Sequence, residues 1–105
     1  MAFKALFLAH APDADYTKHN SAIDTGKYRL FTFVVKDQSE AVKVAKDIYE
    51  KEKIDAVLLC PGFTHNDVAE ISQALGGKVS VSVSRGDGPG SRIASQVIQR
   101  EYYSN

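Results

Sequence analysis

Three histidines and one cysteine carry the acid–base and nucleophilic potential of this chain, and all four fall in or beside the polar loops that follow apolar runs. Imidazole titrates near neutrality, so His10 and His65 could form an acid–base pair. Cys60 would be a nucleophile if His10, or the start of a following helix, lowered its pKa. A metal site built from His10, Asp13 and Cys60 matches no local ligand spacing, so neither a metal nor a cofactor is implied. Each group also has a plainer use. A cysteine closing an apolar run suits a buried, inert position, and His10, His19 and His65 could serve as hydrogen-bonding groups that order loops.

A second candidate is the segment Arg85-Gly86-Asp87-Gly88-Pro89-Gly90-Ser91-Arg92. Its glycines let backbone amides converge, a following helix would add positive potential, and Arg85 and Arg92 could clamp an anion. The glycine spacing is neither that of a Walker loop nor that of the dinucleotide fingerprint. The same residues also suit a tight turn before a helix. The Arg-Gly-Asp tripeptide within it is treated as coincidental.

These groups need elements to position them. Phe3 to Ala9 is an apolar run of strand length, stopped by Pro12. Tyr16, His19, Ala22 and Ile23 share helical spacing, which predicts a short helix before Gly26. Tyr28 to Val35, rich in aromatic and β-branched residues, reads as a second strand. Ala41, Val44, Ala45, Ile48 and Tyr49 form one helical stripe. Asp37 and Glu40 resemble its capping box, so the helix should begin near Gln38. Ile54 to Cys60 is almost uniformly apolar and reads as a third, central parallel strand. Thr64 and Asp67 then offer a cap for a helix carrying Val68, Ile71, Ser72 and Leu75, which Gly76-Gly77 should end. Lys78 to Ser84 alternates strictly, valine on one face and serine on the other. A last helix after Gly90 carries Ile93, Ala94, Val97, Ile98 and Tyr102.

Strands alternating with helices predict an α/β fold with a small, open, four-stranded parallel sheet. Placing the apolar first and third strands centrally yields the order 2-1-3-4, a reduced flavodoxin-like or Rossmann-like three-layer arrangement spanning 1–105 as one domain. In such sheets ligands bind outside the strands' carboxyl ends, where strand order reverses. That point lies between the first and third strands, and brings His10, Asp13, Cys60 and His65 together with Lys36, Asp37 and the loop at 85–92. The serine face of the fourth strand suggests partial exposure of an edge or close approach of a neighbour, which makes a homo-oligomer the expected state.

Thirteen basic and thirteen acidic side chains cancel, so no long-range field draws in nucleic acid or an anionic membrane. The hydrophobic fraction of 44% and charged fraction of 25% are ordinary globular values. A single cysteine excludes an intramolecular disulfide. It fits a reducing compartment, and the first apolar run is too short for a membrane span or a leader, so a cytoplasmic location is expected.

Three segments taken together, Lys4–Phe7 leading to Ala11–Asp15, Asp55–Phe63 and Gly76–Val81, resemble a family of small bacterial and archaeal proteins classed as a domain of unknown function. The resemblance covers almost the whole chain and implies the α/β architecture, with no established activity or catalytic residues. The function expected from the residues is binding of a small, anionic molecule. Asp13, Arg85, Gly86, Asp87, Gly88, Gly90, Ser91 and Arg92 would hold it beside His10, Cys60 and His65. The alternatives are a small enzyme using those last three groups, and an oligomeric interaction module without a ligand.

Overall fold

The computed structural model describes residues 1–103. It contains five strands, β1 (Phe3–His10), β2 (Asn20–Asp24), β3 (Tyr28–Val35), β4 (Ala56–Leu59) and β5 (Ser80–Val83). Three helices accompany them, α1 (Gln38–Glu52), α2 (His65–Ala74) and α3 (Gly88–Tyr102). The strands form one sheet in the order β2-β3-β1-β4-β5. The four strands read from sequence stand in the anticipated relative order and run parallel. The sheet as a whole is nevertheless five-stranded and mixed, because β2 is added antiparallel to β3.

The short helix anticipated across Tyr16 to Ile23 is absent. Asn20–Asp24 instead pairs with Arg29–Phe33, after a turn in which Gly26 takes a φ of +100° and Thr25 N–H donates to the Tyr28 carbonyl at 3.0 Å. Only glycine adopts that backbone angle at little cost. Pairing with β3 satisfies five backbone positions that an isolated short helix, with its costly first turn, could not stabilise. The second strand read from sequence is therefore internal to the sheet, not an edge.

Register and alternation place Leu6, Leu8, Phe31, Val57 and Leu59 on one face. That face packs on Ala41, Val44 and Ala45 of α1 and on Ile71 of α2, and the resulting cluster is the core. The caps follow the sequence signals. Asp37 accepts from the Glu40 amide at 3.0 Å, and Thr64 and Asp67 form a reciprocal box at 3.1 and 2.9 Å. Glu40 itself reaches back to the Lys36 amide, at 2.8 Å, and not to that of Asp37.

The three-layer arrangement does not form. Both α1 and α2 lie on the same face, and on the opposite face Phe3, Ile23, Tyr28 and Leu58 are 48%, 58%, 43% and 42% exposed. The connection from β1 to β3 holds a hairpin strand where a three-layer fold would place a helix, so nothing from it covers that side. Helix α3 starts three residues earlier than its sequence suggests, with Pro89 in its first turn, and buries none of its residues. The radius of gyration is 14.2 Å, against about 13 Å for a packed chain of this length, because α3 stands off the body. Among the described residues no helix is long and apolar enough to cross a membrane.

These contacts set a stability hierarchy. Leu8→Ala, at a fully buried position, should cost about 3 kcal/mol, and Thr64→Ala about 1 kcal/mol through the lost cap. Ser82→Ala on the open face should change stability by less than about 0.5 kcal/mol. Urea unfolding of the three variants checks the order, and a cost for Ser82→Ala matching that of Leu8→Ala would contradict the one-sided core.

Candidate functional site at the strand carboxyl ends

Alternation along β1 places His10 on the face that buries Leu6 and Leu8. Its ring stacks on Phe63, with centroids 3.9 Å apart and planes inclined by 23°. Phe63 is fully buried, so it is a fixed platform. On the adjacent strand end, Cys60 N–H donates to the Leu8 carbonyl at 3.0 Å, and the Phe63 amide returns to the Cys60 carbonyl at 3.3 Å. Gly62 closes this turn beside both side chains. A Cβ there would lie 3.5 Å from His10 Nδ1 and 3.7 Å from Cys60 Sγ.

The Cys60 thiol is half-buried. Burial pushes its pKa up, but the His10 imidazole beside it and nearby backbone amides, that of Gly62 first among them, favour the thiolate more strongly. The net result is a pKa below the ordinary thiol value. His10 and Cys60 are thus a matched pair at neighbouring strand ends.

Above the pair lies a cavity of about 900 Å³ between the strand ends and α3. Its floor includes His10, Cys60 and Gln38, and its far wall includes Ala94, Ile98 and Tyr102 of α3. Two buried polar atoms in this lining, His10 Nε2 and Gln38 Oε1, have no hydrogen-bond partner among the described residues. The amide nitrogen of Gln38 is taken up by the Asp67 carbonyl at 3.2 Å and Glu70 Oε1 at 2.8 Å, which leaves only the oxygen free.

The charged lining is Lys36, Asp37, Asp67 and Asp87. Two of these carboxylates are committed to helix starts. Asp37 is held below the usual carboxylate range by the Glu40 amide first and the Ser39 hydroxyl second, and Asp67 accepts from the Thr64 amide. Asp87 precedes α3 without making a side-chain cap.

Among the residues singled out from sequence, His10 and Cys60 meet, and Gly86, Asp87, Gly90 and Ser91 line the same cavity. Gly86 has a φ of +75°, and a Cβ there would meet Ser91 Oγ at 2.8 Å, so the tight loop requires glycine. His65, the first residue of α2, is exposed and not part of the lining, so no His10–His65 pair forms there. Asp13 and Gly88 also stand outside the lining.

The arginine clamp does not form either. Arg85 Nη1 donates to the Phe63 carbonyl at 2.8 Å, tying the β5 end to the Pro61–Phe63 turn, and Arg92 is not in the lining. His19 orders its own loop by accepting the Asp15 amide at 2.9 Å on Nδ1. Gln38 and the α3 wall went unrecognised as lining residues. The available signal for Gln38 was its place at the first turn of a helix that starts at a strand's carboxyl end. Among the described residues no group of three or more His, Cys, Asp or Glu could hold a metal ion.

The fold and the cavity together define an α/β protein with a crevice at the carboxyl ends of its parallel strands. The chain itself is a member of a family of unknown function, DUF6506, whose model matches residues 3–97. No curated protein and no solved structure matches it.

The pairing of His10 with Cys60 has a kinetic signature. Alkylation of Cys60 by iodoacetamide should show a pH midpoint below that of an ordinary thiol. In His10→Ala the midpoint should move up and the rate at pH 7 fall several-fold, since the thiolate is the reacting form. An unchanged pH profile in His10→Ala would show that the imidazole does not act on the thiol.

Proposed function

We propose that this protein binds a small polar molecule with an apolar portion in the cavity between the strand ends and α3. The observation that carries this reading is that His10 and Gln38, whose buried Nε2 and Oε1 have no hydrogen-bond partner among the described residues, both line one cavity. Buried polar groups are normally satisfied, and leaving one unsatisfied costs about 1–3 kcal/mol. A ligand that donates to Gln38 Oε1 and pairs with His10 Nε2 removes that cost. The cavity volume lies within the usual range for small-molecule sites, and Ile98 and Tyr102 offer an apolar wall.

An anionic group would depend on Lys36 and the uncapped amino end of α3, not on Arg85 or Arg92. With three carboxylates nearby, a neutral or zwitterionic ligand suits the lining better than a polyanion. A reduced flavodoxin-like arrangement of the four parallel strands accords with this location. The enzyme reading rests on one specific feature, the Cys60 thiol favoured as thiolate by His10. In it Cys60 is the nucleophile and His10 the partner that positions it and takes up its proton.

A thermal-shift panel of carboxylates, phosphates, amides and amino acids tests the binding reading. A true ligand at 100 times its Kd stabilises by about 2.7 kcal/mol, which moves the Tm of a chain this size by roughly 10 °C or more. The shift should be lost in Ser95→Trp, which fills the cavity from α3, and weakened in Gln38→Leu. A panel that moves neither the Tm nor the amide resonances around His10 and Gln38 would remove the proposal.

A further inference from the structure

The sheet face opposite α1 and α2 is built like an interior and lies uncovered. The register places Phe3 and Phe7 of β1, Tyr28 and Leu30 of β3, Leu58 of β4 and Ile23 of β2 on it. Every side chain that alternation assigns to this face within the five strands is uncharged. The charged strand residues Lys4, Asp24 and Arg29 fall instead on the helix-covered side. An antiparallel or mixed sheet with one solvated face ordinarily shows the reverse, polar residues out and apolar residues in.

We propose that this face is the contact of a homodimer, two copies packing sheet on sheet about a two-fold axis. Three observations favour a second copy. The first is electrostatic. A face without charge needs no complementary charge in its partner, and a two-fold sets it against itself with nothing to repel.

The second is shape. The β2–β3 half carries Ile23, Tyr28 and Leu30, whereas the β4–β5 half has one bulky side chain, Leu58, beside the small Ala56, Ser80 and Ser82. A two-fold axis near β1 sets the bulkier half of each copy over the shallower half of the other. Aligned sheets pack in this manner about 10 Å apart.

The third is size. Strand spacing of about 4.8 Å and a rise of about 3.3 Å per residue make the face roughly 450 Å² in projection. Two such faces together give roughly 900 Å², the scale of a small, weakly held interface. The serines of β5 become the shallow receiving half of the interface.

Sedimentation equilibrium on the full chain tests this. The wild-type protein should run at twice the chain mass at micromolar concentration. Leu58→Arg and Ile23→Arg, on different strands of the face, should each raise the dissociation constant at least about 100-fold. Ser82→Arg, at an exposed polar position that tolerates change, should do the same with unchanged circular dichroism, so a folding defect in the other two cannot mimic the result. Ile93→Lys on the outer side of α3 should leave the dimer intact. A wild-type monomer at 200 µM would overturn the proposal, as would a dimer that survives Ser82→Arg and Leu58→Arg. A dimer broken by Ile93→Lys alone would place the contact on α3 and overturn it equally.

Discussion

One-sided burial is the constraint from which the rest of this structure follows. Leu6 and Leu8 on β1 and Val57 and Leu59 on β4 are buried completely, and helices α1 and α2 pack on the sheet on their side. Because a strand alternates with a period of two, burying Leu6 and Leu8 obliges His10 to emerge on the same face at the strand's end. There it meets Phe63, which the turn after β4 drives into the core. The position of the imidazole is thus a consequence of core packing. The opposite face is left bare by the same choice.

The site inherits its rigidity from these elements. Cys60 and His10 are held by backbone hydrogen bonds at the ends of neighbouring strands, and Arg85 ties the Phe63 carbonyl to the end of β5. The positive ends of α1 and α2 point toward the crevice, but Asp37 and Asp67 already occupy them. Their potential is therefore largely spent within the protein. What remains for a ligand is hydrogen-bonding capacity at Gln38 and His10, the uncapped start of α3 and an apolar wall. Helix α3 lines the cavity without burying a residue, so a bound molecule would be its main packing partner within the chain.

Helix α1 and its cap at Asp37, helix α2 with its Thr64–Asp67 box, and the four parallel strands in their relative order were legible. Local signals and tertiary environment agree at these elements. Strand β2 was not legible, since Asn20-Ser21-Ala22-Ile23-Asp24 has only one bulky apolar residue and becomes a strand through pairing with β3. The convergence of His10 with Cys60 could be anticipated from their places at adjacent strand ends. The exclusion of His65 could not, because a one-residue displacement along the first turn of α2 turns a side chain about 100° around the axis. Arg85 was misread for a related reason. A guanidinium at a glycine loop looks free for an anion, but a buried carbonyl nearby competes for it.

The amino-acid sequence determined that His10 and Cys60 would stand at the carboxyl ends of β1 and β4, since period and apolarity set which strands are central and how each one ends. It also determined the absence of charge on one set of alternating strand positions. Only the tertiary structure decided that this uncharged set faces outward and that His10 shares a pocket with Gln38. The same holds for α3, whose stripe from Ala94 to Tyr102 walls a cavity and packs no core. The physical reason is that alternation specifies two faces without naming which one the helices cover. That depends on the handedness of the crossovers and on the hairpin standing where a covering helix would have been.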